Sequence, residues 1–218
     1  MALPLHRGKV LQKERRGKVL LLSLATTDFN FVAGQYLALN FGGKLHYYSI
    51  LSNPSQKEKV DLAIKFYDDK KMQDFENIAV DQELEIHGPA GNLTFDEITT
   101  HDHYFIAGGT GIAPLYSMIT EYITRFPQRR FVLLFSVKEK EDLFLHEQCL
   151  SLAKKYSNFS YIPTLTRGKW EGAMGRVQIH FPLDVEKKTF YICGPKEMVK
   201  EVQTTLLLKG VHLENIKS

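Results

Sequence analysis

The chain has 218 residues, of which 44% are hydrophobic and 24% charged, and its formal net charge is +3 at pH 7. This composition is typical of a globular protein with one large domain or two modest ones, and so small a charge does not by itself indicate nucleic-acid binding. The 2 cysteines are too few for a disulfide framework, an all-cysteine iron-sulfur cluster or a cysteine-rich zinc site. We therefore expect any redox centre to be organic or external.

No segment of the sequence predicts a membrane span. The longest uninterrupted apolar runs, at 19–22 and 131–135, are far too short to cross a bilayer. The first residues also lack the apolar core of a secretion signal, so we expect a cytoplasmic location.

The first half of the chain has the rhythm of β-strands. From Lys9 to about Pro89, apolar residues alternate with polar ones, as Val60, Leu62 and Ile64 do. This period of two predicts half-buried strands, and the glycine and proline pairs between them predict turns. The pattern indicates a small antiparallel barrel or sandwich.

Basic residues are concentrated near the start of the chain. Between positions 7 and 18 they are opposed by a single acid, Glu14, and Arg16-Gly17 is predicted to form a hairpin tip. A solvated hairpin is the ordinary interpretation, and a docking edge for an acidic partner is the alternative.

One predicted strand carries more hydroxyl groups than a core strand needs. It begins at 45 and runs into a turn that ends at 54, and this stretch contains His46, Tyr47, Tyr48, Ser49 and Ser52. Ordinary strand packing would explain one or two of these residues. Together they suggest a flat, partly polar ligand lying against the strand.

After residue 103 the rhythm changes to short apolar runs followed by helical patterns, which predicts parallel strands with crossover helices. Strands are predicted at 104–107, 131–135, 159–162, 189–193 and 211–216, and helices at 115–123 and 142–156. The expected architecture is an antiparallel barrel domain, 1–98, followed by a doubly wound α/β domain with a parallel sheet, 99–218.

A glycine-rich turn joins the first parallel strand to its helix. It contains Gly109, Thr110 and Gly111 and ends at Pro114. Glycines let the backbone approach a bulky anion, the free N–H groups of a helix N-terminus attract phosphate, and proline is tolerated in the first helical turn. In this strand-to-helix setting the turn predicts dinucleotide binding.

The residues after the second parallel strand bear on the choice between NADH and NADPH. An NAD-selective site usually has an acid there, whereas this chain has Ser136 and Lys138. With Arg167, they form a set suited to a ribose 2'-phosphate, unless all three are ordinary loop residues. We expect a slight preference for NADPH and leave NADH open.

Cys193 ends a buried strand at the carboxyl edge of the predicted sheet, where open α/β folds bind ligands, and Gly194, Pro195 and Met198 follow it. No histidine or lysine is obviously placed to activate a thiolate. We therefore expect Cys193 to position a ligand rather than to act as a nucleophile.

Five short motifs in this order resemble the ferredoxin-NADP reductase superfamily. They are Gly34-Gln35-Tyr36, Tyr48-Ser49, Gly88-Pro89-Ala90-Gly91, the glycine turn from Gly108 to Pro114, and the stretch from Cys193 to Met198. The resemblance implies a flavin-binding barrel and an NAD(P)-binding sheet, with FAD as the expected flavin and FMN or free flavin as alternatives. It also implies that Tyr48 packs on the flavin ring, Ser49 bonds near its reactive nitrogen, and Cys193 flanks the nicotinamide.

The chain departs from the family pattern in three places. His46 stands where the family usually has an arginine for the flavin phosphate, and residues 69–72 lack the usual glycine and hydroxyl of a second phosphate grip. The sequence also ends without the terminal aromatic of plant-type members. It therefore looks more like the compact flavin reductases and cytochrome-b5-reductase-like members.

Three functions follow from this sequence. The first is a flavin-dependent oxidoreductase that takes hydride from NAD(P)H to bound FAD and passes electrons to a separate acceptor, such as a ferredoxin-like carrier. The alternative is an NAD(P)H:flavin reductase with free flavin as its substrate. The third is a nucleotide-sensing subunit without turnover.

Overall fold

The computed structural model describes residues 3–66, 73, 75 and 77–218. In the first half, the strands are β1 (Leu5–Arg16), β2 (Val19–Thr26), β3 (Tyr36–Phe41), β4 (Lys44–Ser49), β5 (Lys59–Lys65) and β6 (Glu83–Ala90). They pair in the order β4-β3-β6-β1-β2-β5, and every pairing is antiparallel. An isolated bridge between Ile50 and Leu62 links the two ends of this order. The sheet therefore closes on itself as the predicted barrel.

The barrel interior is filled by the apolar half of the alternating pattern. Leu22, Leu24, Leu37, Leu62 and Ile86 are all buried in one cluster. Because side chains alternate across a strand, the intervening polar residues face outward. The period-two pattern of the sequence thus matches the alternation of inward-facing and outward-facing side chains along the barrel strands.

The second half forms a parallel sheet. Its strands are β7 (Asp102–Gly108), β8 (Phe131–Val137), β9 (Phe159–Leu165), β10 (Ala173–Met174), β11 (Lys188–Cys193) and β12 (Ile216–Lys217), in the order β10-β9-β8-β7-β11-β12. The chain moves outward from β7 to β10 and then returns to place β11 on the other side of β7. This reversal makes a topological switch point between β7 and β11, and ligands of open α/β sheets bind at the carboxyl end of such a point.

Helices cover both faces of this sheet. On one face lie α1 (Ile112–Tyr122) and α2 (His146–Lys155), and on the other lies α3 (Lys196–Leu208). Successive residues of β7 point to opposite faces, so Phe105 packs with α1 while Ile106 packs with α3. This is the doubly wound arrangement that the sequence predicted. Among the described residues, no helix combines the length and apolar character needed to cross a membrane.

Two predicted elements need correction. The helix expected at 142–156 begins only at His146, because Lys140–Asp142 form a 3-10 turn before it. The strand expected at 211–216 is wrong except for Ile216, since Leu213–Asn215 form another 3-10 turn and β12 has two residues. The domain boundary between 98 and 99 stays a prediction, and it falls in the segment that joins β6 to β7.

The barrel and the parallel sheet share a hydrophobic cluster. Leu51 and Ala63 of the barrel are buried in the same cluster as Ala107, Ile112 and Leu115 of the α/β half. A shared core resists relative motion, because separating the two halves would expose this apolar surface to water.

Candidate functional site

The glycine turn and the end of β11 are in contact at the switch point. β7 ends at Gly108 and β11 ends at Cys193. A Cβ atom added to Gly111 would collide with the carbonyl group of Cys193, and one added to Gly108 would lie 2.6 Å from the sulfur of Met198. Only glycine allows the two segments to approach this closely.

One side of the same turn is open. Gly109 has a φ of +55°, in the left-handed region that favours glycine, and a Cβ atom there would meet nothing within 4 Å. Gly109, Thr110 and Gly111 form a 3-10 turn that leads directly into α1, with Pro114 buried in the first turn of the helix. The N-terminus of α1 therefore lies beside an open glycine backbone, an arrangement that fits a pyrophosphate. The N–H of Ile112 is itself bonded to the carbonyls of Gly109 and Thr110.

Ser136, Lys138 and Arg167, the residues expected to discriminate between NADH and NADPH, lie close together. Ser136 lies in β8 between Gly108 of β7 and Thr164 of β9, and it is 9% exposed. The backbone N–H of Arg167 donates to the carbonyl of Lys138 at 2.9 Å. Both basic side chains are exposed at the carboxyl edge that holds the glycine turn.

Cys193 has the environment of an unreactive thiol. It is partly buried against the shared cluster, and burial raises the pKa of its thiol to about 11. At neutral pH the thiol is therefore protonated and weakly nucleophilic. This favours the positioning role expected from the sequence.

The hydroxyl-rich strand is β4, which lies at one end of the strand order. A pocket of about 430 Å³ is lined by Tyr36, Tyr47, Tyr48 and Ser49. Tyr47 is 59% exposed, and its ring meets that of Tyr36 edge-on at 5.9 Å. Burial raises the pKa of Tyr48 to about 12, so its hydroxyl stays protonated and can donate a hydrogen bond.

Phe75 lies on the other side of this strand. Its ring centroid is 5.9 Å from that of His46, 6.1 Å from that of Tyr48 and 4.7 Å from that of Phe41. The predicted second phosphate segment, 69–72, falls outside the described residues. Sequence analysis missed both Phe75 and Tyr36 as site residues. Tyr36 was signalled by its motif, whereas Phe75 is a lone aromatic in a charged segment.

Ser52 has partners within the protein. It is 5% exposed, and its hydroxyl accepts a hydrogen bond from the backbone N–H of Asp61 at 3.0 Å. Its carbonyl accepts one from the hydroxyl of Ser117 at 2.6 Å. A direct contact between Ser52 and flavin stays a prediction. The two hydrogen bonds stabilise the position of the segment that follows β4.

The basic hairpin is tied to the rest of the chain. Arg16 at its tip donates to the carbonyl of Phe144 at 2.8 Å and to the carboxylate of Glu14 at 2.7 Å. Arg7 pairs with Glu83 at 3.0 Å. Because these cations already have acidic or carbonyl partners, the hairpin offers less charge to a docking partner than its composition suggested.

Two family models match the chain in consecutive halves. Residues 3–95 match the oxidoreductase FAD-binding domain, and residues 105–204 match the oxidoreductase NAD-binding domain. The chain belongs to the ferredoxin-NADP reductase superfamily. The family predicted from five short motifs is thereby confirmed.

Reductases of several kinds are similar to the chain. The reductase component DmpP of phenol 2-monooxygenase from Pseudomonas sp. (strain CF600) is 30% identical over 189 residues, covering 81% of this chain and 54% of that protein. A probable flavin reductase from Aliivibrio fischeri is 27% identical, covering 83% and 81%. The crystal structure of the Amycolatopsis cytochrome P450 reductase GcoB has a TM-score of 0.91 at 22% identity, covering 99% of this chain and 69% of that one. The chain thus spans about half the length of the first of these relatives.

As a superfamily member, the chain has an FAD-binding barrel and an NAD-binding α/β domain. The geometry fits both cofactors in part. Tyr36, Tyr47 and Tyr48 offer flat rings and Ser49 a hydroxyl for an isoalloxazine, and the open side of Gly109 suits a dinucleotide backbone. The ring of His46, which the resemblance places at the flavin phosphate, packs beside Phe75, and its contact with that phosphate stays a prediction.

Proposed function

We propose that this chain is a flavin-dependent oxidoreductase that takes hydride from NAD(P)H to bound FAD and passes the electrons to a separate acceptor, such as a ferredoxin-like carrier. One observation carries the proposal. Leu51, two residues beyond Ser49, is buried in the same cluster as Ile112, the residue that starts α1 after the glycine turn. The strand that suits a flavin and the turn that suits a nucleotide are therefore held by one rigid core.

When bound, FAD supplies the two-electron chemistry, in which the C4–H bond of the reduced nicotinamide breaks and its hydride bonds to the flavin, leaving oxidised nicotinamide. The protein contributes orientation and shielding. We propose that Tyr48 packs on the flavin ring, that Ser49 donates a hydrogen bond near the reactive ring nitrogen, and that the neutral thiol of Cys193 flanks the nicotinamide.

We propose that Gly109, Thr110 and Gly111 receive the pyrophosphate at the start of α1. Pro114 shapes that first helical turn. On the other side of the switch point, Gly194, Pro195 and Met198 close the space next to Gly108, a packing that the near contact of Gly108 with Met198 supports.

For the nucleotide, we propose a preference for NADPH. Ser136, Lys138 and Arg167 meet at one edge and provide a hydroxyl and two cations for a 2'-phosphate. We expect Arg167→Gln to weaken NADPH binding about tenfold while changing NADH binding little, since one charge-assisted bond is worth about 1.5–3 kcal/mol. Arg125→Gln is the matched control, because Arg125 pairs with Glu97 near the far end of α1.

A second candidate is an NAD(P)H:flavin reductase that uses FMN or free flavin as a diffusible substrate. It is favoured by His46 at the phosphate position and by the ring of Phe75 beside it. The chain also spans 81% of the probable flavin reductase from Aliivibrio fischeri, a protein of similar extent.

The visible absorption spectrum of protein purified without added flavin tests these proposals. A flavin band that co-purifies and bleaches on anaerobic addition of NADPH or NADH supports the retained-cofactor oxidoreductase. A colourless protein that bleaches added FMN supports the flavin reductase instead. If the nucleotides bind and neither bound nor added flavin is reduced, both proposals are wrong and a nucleotide-sensing subunit remains. The cytoplasmic location stays a prediction, to be checked by fractionating cells that express the chain.

A further inference from the structure

A single helix touches both candidate ligand sites. α1 begins at Ile112, directly after the open glycine turn, and about one and a half turns later, at Ser117, it contacts the barrel. There the hydroxyl of Ser117 donates to the carbonyl of Ser52 at 2.6 Å. Ser52 lies three residues beyond Ser49, in the segment that leaves β4. The helix therefore links the nucleotide turn to the end of the flavin strand.

This link is buried and short. Ser117 is 0% exposed and Ser52 is 5% exposed, so the bond is shielded from water. A backbone carbonyl buried without a partner is unfavourable, which makes this bond costly to lose. It differs from the surrounding apolar contacts because a hydrogen bond fixes the distance and direction between two particular atoms, whereas apolar attraction has no preferred direction.

Two neighbouring contacts hold the same helix to the barrel. A Cβ atom on Gly34 would collide with Met118 of α1, so the segment before β3 approaches the helix as closely as a glycine allows. Farther along, the hydroxyl of Ser55 donates to Glu121 at 2.7 Å. Helix α1 thus contacts the barrel domain at two places, before β3, which carries Tyr36, and after β4.

We propose that Ser117 is a positioning residue for hydride transfer. Its bond to Ser52 sets the separation between the end of β4, which orients the flavin through Tyr48 and Ser49, and the glycine turn, which anchors the nucleotide. This inference rests on the proposed function. Hydride transfer requires the two reacting atoms at close approach, and a misplacement of about 1 Å can slow such a step about a hundredfold.

The test is single-turnover bleaching of bound or added flavin under anaerobic conditions, followed against nucleotide concentration. For Ser117→Ala we expect the limiting rate of hydride transfer to fall about tenfold or more, and the dissociation constant of the nucleotide to change less than about threefold. We also expect a weaker long-wavelength absorbance from the stacked nicotinamide and flavin rings. A residue that only stabilised the fold would lower the melting temperature without moving this limiting rate.

Thr120→Ala is the matched control. Thr120 lies on the same helix, and its hydroxyl donates to the carbonyl of Tyr116 within that helix at 2.9 Å. The same hydroxyl also lies 3.2 Å from the backbone carbonyl of Ser117, again within the helix. Its loss removes a hydroxyl group of the same chemistry but no hydrogen bond to the described part of the barrel, so we expect a wild-type limiting rate.

The outcomes separate this inference from the proposed function. If the wild type bleaches flavin and Ser117→Ala does so at the wild-type limiting rate, the positioning role is refuted while the proposed function stands. If the wild type bleaches no flavin with either nucleotide, the proposed function fails, and the positioning role fails with it. Should Ser117→Ala not fold, Ser117→Cys decides the matter, because the thiol keeps the volume but donates weakly. A wild-type limiting rate in that variant would equally refute the role.

Discussion

Replacing His103 with phenylalanine should make the protein more resistant to mild acid. His103 lies in β7 with 0% exposure, and its ring centroid is 4.3 Å from that of Phe95. Its Nδ1 atom is 3.3 Å from the hydroxyl of Tyr191, while its Nε2 atom has no hydrogen-bond partner among the described residues. Burial, assisted by the positive charge of Arg129, lowers the pKa of His103 from 6.5 to about 3.

The size of the effect follows from this difference in pKa. In the unfolded chain the imidazole takes up a proton below about pH 6.5, whereas in the folded protein it stays neutral down to about pH 3. The stability that depends on the neutral ring is complete above about pH 6.5 and is lost as the pH falls. Each pH unit in that window costs about 1.4 kcal/mol, so the loss by about pH 5 is about 2 kcal/mol.

The free energy of unfolding in urea, measured at about pH 7 and about pH 5, provides the assay. We expect the wild type to lose about 2 kcal/mol more between these two conditions than His103→Phe does, whatever the variant's stability at neutral pH. Carboxylates that titrate in this range contribute to both proteins and cancel in the comparison. His212→Gln, at an exposed position, should behave as the wild type does. Equal losses in the wild type and His103→Phe would refute the buried neutral imidazole.

Two further predictions concern the switch point. Gly111→Ala places a Cβ atom against the carbonyl of Cys193, and we expect the resulting separation of the turn from β11 to weaken NAD(P)H binding about tenfold or more, measured by fluorescence titration. Burial raises the thiol pKa of Cys193 to about 11 and that of Cys149 to about 12. At about pH 7 we expect them to react with iodoacetamide roughly a hundredfold and roughly a thousandfold more slowly than a free thiol, as followed by mass spectrometry.

Each of these has its own control. Gly43→Ala is the control for Gly111→Ala, because it adds a Cβ atom in open space at the turn between β3 and β4. This turn is distant in sequence from the nucleotide turn, so nucleotide affinity should be unchanged. Wild-type affinity in Gly111→Ala would mean that the turn adjusts without cost. Glutathione serves as the free thiol, and a protein cysteine that reacts as fast would contradict the raised pKa.

Much of the fold could be predicted because its signals are local. The apolar run 131–135 predicted a buried strand, and β8 contains it. The glycine turn predicted a backbone that a bulky anion can approach, and the space beside Gly109 is open within 4 Å. The incorrect strand at 211–216 shows the limit of such signals. Val211 and Leu213 have the period-two spacing of a strand, yet the N–H of Val211 bonds to the carbonyl of Leu206 just after the end of α3.

The candidate site was only partly predictable, because part of it depends on contacts between distant positions. Ser52 was picked out for its hydroxyl, whereas the carbonyl of that residue makes the bond to Ser117, 65 positions away. No period or motif marks Ser117 itself. Phe75 likewise acquires its place beside His46 only when the chain folds back on β4.

The hydrogen bond between Arg16 and Phe144 can form only late in the synthesis of the chain. The partner carbonyl of Arg16, at Phe144, lies 128 positions later in the chain. As the chain leaves the ribosome, β1 and β2 can pair as soon as both have emerged, but the tip of their hairpin has to wait for the α/β half. At a synthesis rate of about 5–20 residues per second, that interval lasts about 6–26 seconds. During this time the guanidinium of Arg16 keeps its nearby partner, the carboxylate of Glu14, and the bond that ties the hairpin tip to the α/β half forms only afterwards.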